Sequence, residues 1–159
     1  MSREYPDRPI VGVGVVVLAA GRVLLVRRGK PPREGQWSLP GGAQKLGETV
    51  FEAGAREVRE ETGLDVEVLG LVDVVDTIRN DESGRIRYHY TLVDVFAVAR
   101  AGMLRAGGDA ADAAWFDVAD VPGLGLWSET ERIIALAVEM HEALSAPAGS
   151  TSAEGGPKG

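Results

Sequence analysis

A chain of 159 residues that is 45% apolar has room for one domain with a sizeable core and none for a second. Its 24 acidic residues outnumber its 17 basic ones, and a net charge of −7 argues against a nucleic-acid polymer as partner. Without cysteine there is no disulfide framework, thiolate metal site or thiol nucleophile, and His89 and His141 stand too far apart in sequence to suggest a histidine zinc site, so oxygen ligands remain.

Residues 1–8 are polar and proline-containing and read as a flexible lead-in to a single domain over 9–145. Ile10 to Ala19 is a valine-rich strand spaced by Gly12 and Gly14, the kind of glycines that mark a bulge or a close backbone approach. Ala20-Gly21 is a turn, and Arg22 to Arg28 a second strand in a hairpin with the first, with Leu24 and Val26 on one face and Val23, Leu25 and Arg27 on the other. Gly29 to Gln36 supports neither periodicity and is a loop. Trp37 to Pro40 is a short extended segment, because a residue before proline is driven out of the helical region. Gly41-Gly42 then leaves the main chain uncovered by side chains.

The next stretch, GAQKLGETVFEAGAREVREETGL, is a helix stopped at Gly63. At about 100° per residue, Glu57, Glu60 and Glu61 fall in one sector of roughly 100°. Phe51, Ala55, Val58 and Thr62 cluster on another sector, giving a face to bury and a separate acidic face. Close like charges destabilise a helix unless a cation sits among them, and Arg56 offsets only part of that repulsion. Mg²⁺ binds through one or two carboxylates, phosphate oxygens and water, so the cluster has the composition of a hard-cation site. The competing reading is a solvated ion-pair ladder of Glu52, Arg56 and Glu60. Gly54, inside the helix, is either a close-packing position or neutral.

Asp65 to Ile78 reads as one or two strands, Ser83-Gly84 as a hairpin turn, and Tyr88 to Ala99 as the clearest long strand. Within it Asp94, among apolar neighbours, is a satisfied buried carboxylate, a group at the wet end of the strand, or a substrate contact. Ala101 to Ala113 reads as a flexible loop, Ala114 to Phe116 as a strand, and Asp117 to Val121 as a short turn or helix broken by Pro122-Gly123. Ser128 to Leu144 is a second helix, with Ser128 and Glu131 at capping-box spacing and an apolar stripe of Ile133, Leu136, Ala137, Met140 and Leu144. Residues 146–159 have almost nothing to bury and are expected to be disordered. The longest apolar run, Val11 to Ala20, is too short to span a bilayer and does not read as a signal peptide, so no membrane partner and a cytoplasmic location are expected.

The helical stretch resembles, position for position, the signature of the Nudix hydrolases: Gly42, Glu48, Arg56, Glu57, Val58, Glu60, Glu61, Gly63 and Leu64 fill its fixed places. The resemblance implies an α/β/α sandwich, in the α/β (α+β) class, with a mixed central β-sheet. It also implies Mg²⁺, or Mn²⁺ in its place, and hydrolysis of a nucleoside diphosphate linked to another moiety. It assigns metal binding to Glu57, Glu60 and Glu61 with the Gly41 carbonyl, and gives Gly42, Glu48 and Arg56 supporting roles. The general base is Glu57 on the helix or Asp109 or Asp112 further along, with Glu57 preferred. A homodimer is also implied.

The arrangement RRGKPPREGQWSLPGG followed by YHYTLVDVF looks like the ADP-ribose pyrophosphatase branch, although Arg79 and Asn80 stand where some ADP-ribose enzymes carry a proline. Arg27, Arg28 and Arg33 are then candidates to grip phosphate or ribose, and Trp37, Tyr88 and Tyr90 to stack on a base. A nucleoside-triphosphate pyrophosphatase and a non-catalytic nucleotide-sugar sensor are the alternatives.

Overall fold

The strand on which everything else is laid is β1 (Ile10–Ala19), whose alternation sends successive side chains to opposite faces of a sheet. A computed structural model describes residues 3–30 and 33–146. Among them β1 and six further strands, β2 (Arg22–Arg28), β3 (Trp37–Ser38), β4 (Gly41–Ala43), β5 (Leu64–Asn80), β6 (Ile86–Gly102) and β7 (Ala110–Asp117), form one sheet. Its path runs β3-β2-β1-β6-β5, with β4 paired to β1 and β7 to β2. β1 and β6 run parallel and the other pairs antiparallel, so the sheet is mixed. The hairpin of β1 and β2 closes only at its tip, Leu18 with Val23 and Ala19 with Arg22. Beyond that the two strands diverge, β1 to β6 and β4, β2 to β7 and β3.

Two helices cover the two faces. Val13, Val15 and Val17 of β1 pack with Leu24, Val95, Ala97, Ala53 and Val58 under α1 (Val50–Thr62). Val16 and Leu18 pack with Val23, Leu25, Phe96, Ile133, Ile134 and Ala137 under α2 (Ser128–Ser145). Both faces of β1 and β2 are therefore dry, which is why these strands read as near-continuous apolar runs.

α1 begins at a capping box that the sequence pattern had suggested for the other helix. Thr49 Oγ1 accepts from the Glu52 amide at 3.1 Å and Glu52 Oε1 accepts from the Thr49 amide at 3.2 Å. It ends at Gly63 in the left-handed region, φ 75°. Its buried face differs from expectation: Ala53, Gly54, Val58, Glu61 and Thr62 are buried, while Phe51 is exposed. Gly54 is the cause, because a Cβ there would sit 3.0 Å from Val15 Cγ2, so the helix approaches the sheet along its glycine side and carries Glu61 inward. The buried and acidic sectors are thus not separate.

The expected loop 101–113 is trimmed at both ends to 103–109, because β6 runs to Gly102 and β7 starts at Ala110. The amides of Arg105 and Gly107 between them donate to the Thr62 and Glu61 carbonyls at 2.8 and 3.0 Å, satisfying carbonyls that the end of α1 leaves open. Pro122 and Gly123 lie inside a short 3-10 helix, Val118–Gly123. In α2, Ser128 is the first helical residue and caps nothing; Trp127, extended at ψ 136°, is the N-cap. Its buried stripe is Ile133, Ile134 and Ala137, and Leu144 is exposed. The polar lead-in is tied to the β5–β6 hairpin: the Tyr5 hydroxyl donates to Asp81 and the Tyr88 hydroxyl to Glu4, each at 2.9 Å. The tail from residue 147 lies outside the described residues.

Candidate active site

Strand β4 brings Gly41 to Ala43 against Gly12 to Gly14 of β1, and α1 lies across this junction. A Cβ on Gly41 would collide with the Val13 carbonyl, and one on Gly42 would lie 2.5 Å from the Glu57 carboxylate. Bare backbone at both positions is what lets the helix carboxylates reach strand β4.

Arg56 organises those carboxylates. Its Nε and Nη2 donate to both Glu48 oxygens at 2.6 and 2.9 Å, its Nη1 to Glu57 at 2.9 Å and Glu60 at 3.2 Å, and its Nη2 to the Ala43 carbonyl at 3.1 Å. A planar guanidinium with five N–H groups is the side chain that can make such a fork. Glu48 also accepts from the Lys45 amide at 2.8 Å. The Arg56 contact and that amide hold its carboxyl down at about 2.

Glu61 points the other way, into the protein. It is 8% exposed and its Oε2 accepts from the Gly41 amide at 3.3 Å. Burial, with the Glu57 carboxylate beside it, pushes it up to about 8. Glu60 is half exposed and turned toward Arg56. Among the described residues no three acidic or histidine side chains close on one point. Glu57 and Glu61 meet over the glycines of β4, and Glu60 lies one step outward. The donor set nevertheless fits a hard divalent cation: it is all oxygen, and a buried carboxylate held above its usual range beside a second carboxylate lacks the positive charge a cation would bring.

These groups border a cavity of about 1020 Å³. Of the side chains expected at the site, it takes in Arg56, Glu57, Glu60, Glu61, Arg28, Arg33, Trp37, Tyr88, Tyr90 and Asp109. Asp109 is two-thirds exposed and paired to Lys30 Nζ at 2.9 Å. Two of the expected side chains do not border this cavity. Asp112 lies in strand β7 opposite Arg27, and its carboxylate accepts from the Ala113 amide away from the cavity. Arg27 also lies off the cavity, its guanidinium 6.0 Å from the Trp37 ring, because alternation along β2 points it away while Arg28 faces in. Trp37 is as much core as wall, edge-on to Phe116 with centroids 5.0 Å apart.

Sequence reasoning missed the opposite wall. Trp127, Glu129, Thr130 and Ile133 from the start of α2, Leu39 and Leu92, and Arg79 from β5 line the same cavity. The Arg33 guanidinium sits 5.2 Å from the Trp127 ring centroid. The one local signal was an aromatic residue at the entry to a helix after a glycine-rich approach.

Oxygen donors on one wall and cationic side chains on another suit a small polyanion handled through a divalent cation, the chemistry of a phosphoanhydride hydrolase. Comparison with known proteins gives the family. The family model for the NUDIX domain matches residues 8–137, and the chain belongs to that family of hydrolases. It is 36% identical over 126 residues to the ADP-ribose pyrophosphatase of Methanocaldococcus jannaschii, covering 79% of this chain and 71% of that one. It is 30% identical over 122 residues to the oxidized purine nucleoside triphosphate hydrolase of Danio rerio, covering 72% and 70%. The crystal structure of a MutT NUDIX hydrolase from Burkholderia pseudomallei superimposes with a TM-score of 0.70 at 31% identity, over 82% of this chain and 98% of that one. No helix among the described residues is long and apolar enough to cross a membrane.

Proposed function

We propose that the protein is a Mg²⁺-dependent pyrophosphatase of nucleoside diphosphates linked to a second moiety, with ADP-ribose, cleaved to AMP and ribose 5-phosphate, as its substrate. The observation that carries this is the meeting of Glu57 and Glu61 over the bare Gly41-Gly42 backbone at the edge of a cavity large enough for a nucleoside and a second sugar. The relative in Methanocaldococcus jannaschii supports the choice of ADP-ribose.

Glu57, Glu60 and Glu61, with the main-chain oxygen of Gly41, would hold the metal. A divalent cation held there, Mg²⁺ or Mn²⁺, would supply charge to neutralise diphosphate oxygens and to lower the pKa of an attacking water. The protein's own part is to position and to accept a proton. Arg56 locks the helix carboxylates to the loop ending at Glu48, and Lys30, Arg28 and Arg33 face the anionic substrate. Glu57 is preferred as the general base because it stands with Glu61 over Gly41-Gly42, whereas Asp109 is two-thirds exposed on the loop before β7. The protein acts in the cytoplasm, as a homodimer.

Incubation with Mg²⁺ and ADP-ribose is expected to yield AMP and ribose 5-phosphate, and Glu60→Gln to abolish that turnover with the fold intact. A nucleoside monophosphate plus pyrophosphate, formed from a triphosphate but not from ADP-ribose, would instead give the activity named for the Danio rerio relative. A monomeric mass by light scattering would end the dimer assignment.

A further inference from the structure

Asp94 is the one buried acid of the central strand, and the mechanism above does not use it. It is 6% exposed, and no hydrogen bond reaches it from the described residues. The nearest cation is committed elsewhere: Arg132 gives Nη1 to Asp73 at 2.9 Å and Nε to Glu129 at 2.6 Å. Burial, with Asp73 and Glu129 nearby, pushes Asp94 up to about 6. No buried side-chain oxygen among the described residues lacks a partner, so the Asp94 carboxylate, though the residue is buried, opens its oxygens onto the cavity rather than into packed core.

Its position is built. Asp94 pairs with Gly14 across the parallel β1–β6 ladder, and a Cβ on Gly14 would collide with Asp94 Oδ1. Alternation puts it on the face of the sheet opposite Val93 and Val95, away from the α1 carboxylates and on the side of α2. There it borders the cavity with Leu39, Leu92 and Ile133, three residues of the α2-side apolar cluster, and with Trp127. Here the apolar side chains of Leu39, Leu92 and Ile133 stand beside a carboxylate with no hydrogen bond of its own, whereas Glu129 on the same wall is held by Arg132, an arrangement that fits a planar ligand bearing an N–H donor on its edge.

We propose that Asp94 selects the nucleobase, its carboxylate accepting a hydrogen bond from the exocyclic amino group of a purine seated against Leu39, Leu92 and Ile133. The assignment rests on the nucleotide reading of the cavity. It makes Asp94 a specificity residue on the wall opposite the hydrolytic chemistry. A base that presents a carbonyl oxygen at that point, or nothing, leaves the carboxylate unpaired and is rejected.

Calorimetric titration with AMP, GMP and IMP in the presence of Mg²⁺ tests this without turnover, since IMP lacks the amino group of either partner. Whichever of AMP and GMP binds more tightly, IMP is expected to bind roughly tenfold to a hundredfold more weakly, the worth of a hydrogen bond to a charged group. In Asp94→Asn the amide can rotate to offer N–H to a carbonyl, and the ratio collapses to within about threefold. Gly14→Ala keeps the carboxylate but pushes it off its seat, and loses the discrimination in the same way. Equal binding of IMP by the wild type, an unchanged ratio in both variants, or no binding of any of the three overturns the proposal. Tighter GMP than AMP binding, with ADP-ribose left uncleaved, sinks the ADP-ribose reading and leaves Asp94 its role. Cleavage of ADP-ribose and IDP-ribose at equal kcat/KM does the reverse.

Discussion

The two walls of the cavity are built on opposite principles. On the α1 wall Glu48 and Glu57 already have partners: Arg56 forks to Glu48 and reaches Glu57 and Glu60 as well, while the buried Glu61 is held above its usual range. On the α2 wall the polar groups next to the slot neutralise one another, Arg132 with Asp73 and Glu129, and leave Asp94 without a hydrogen bond from the described residues. One wall is braced to hold geometry when charge arrives. The other keeps an acceptor unspent. Positioning and choice are in this way kept on separate elements of the fold.

The strongest way to break this division is on the α1 wall. Glu57→Gln is expected to lower kcat roughly 100- to 10,000-fold with unchanged circular dichroism. A variant within tenfold of wild type would remove Glu57 as the base. Arg56→Lys keeps the charge but not the fork, so Mg²⁺ affinity, measured by titrating activity with the metal, is expected to fall about 10- to 100-fold.

Gly54→Leu separates packing from chemistry. Added side-chain atoms would meet Val15 at the contact where even a Cβ sits 3.0 Å away, so overpacking is expected to cost about 1–3 kcal/mol in chemical denaturation.

A pH profile of the metal-free protein reads both walls at once. Glu61 is raised from 4.5 to about 8 and Asp94 from 3.8 to about 6, so between those limits the folded state binds more protons than the unfolded. Their contribution is full below about pH 4 and is lost as pH rises to 8. Glu48, lowered from 4.5 to about 2, works in the other direction, its contribution present above 4.5 and lost as pH falls toward 2. The thermal midpoint is therefore expected to fall from pH 4.5 to pH 8, through both acids up to about pH 6 and through Glu61 alone above it, and Mg²⁺ to close the upper part of that gap by binding the ionised Glu61. A flat profile without metal would contradict the buried placement of both acids.

The smallest effect concerns the caps. Thr49→Ala is expected to cost about 1 kcal/mol and Ser128→Ala under about 0.5 kcal/mol, because only Thr49 caps a helix.

Local patterns carried much of this fold. The bounds of β1 and β2 follow from apolar runs cut by Ala20-Gly21, and the end of α1 follows from Gly63. The end of β7 was legible as Ala114 to Phe116, but its start was not, because Ala110 to Ala113 has little intrinsic strand preference and is extended by its register with β2. The carboxylate spacing of α1 was visible, whereas its rotation was not, since a glycine's effect depends on what it meets, here Val15. The α2 wall escaped for a related reason. Leu39, Leu92 and Trp127 are distant in sequence and become neighbours of one cavity only after β1 and β6 pair and α2 docks.

Gly12, Val13, Gly14 and Val15 alternate along a strand whose two sides serve different tasks. Slippage by a single position would set valine under Leu92 and Asp94 and glycine beneath α1. A one-residue insertion or deletion in this short run would therefore spoil cleavage and discrimination together, however well the remainder folded. Cutting and choosing can be tuned apart by point substitution, but they share a single frame of reference in the chain.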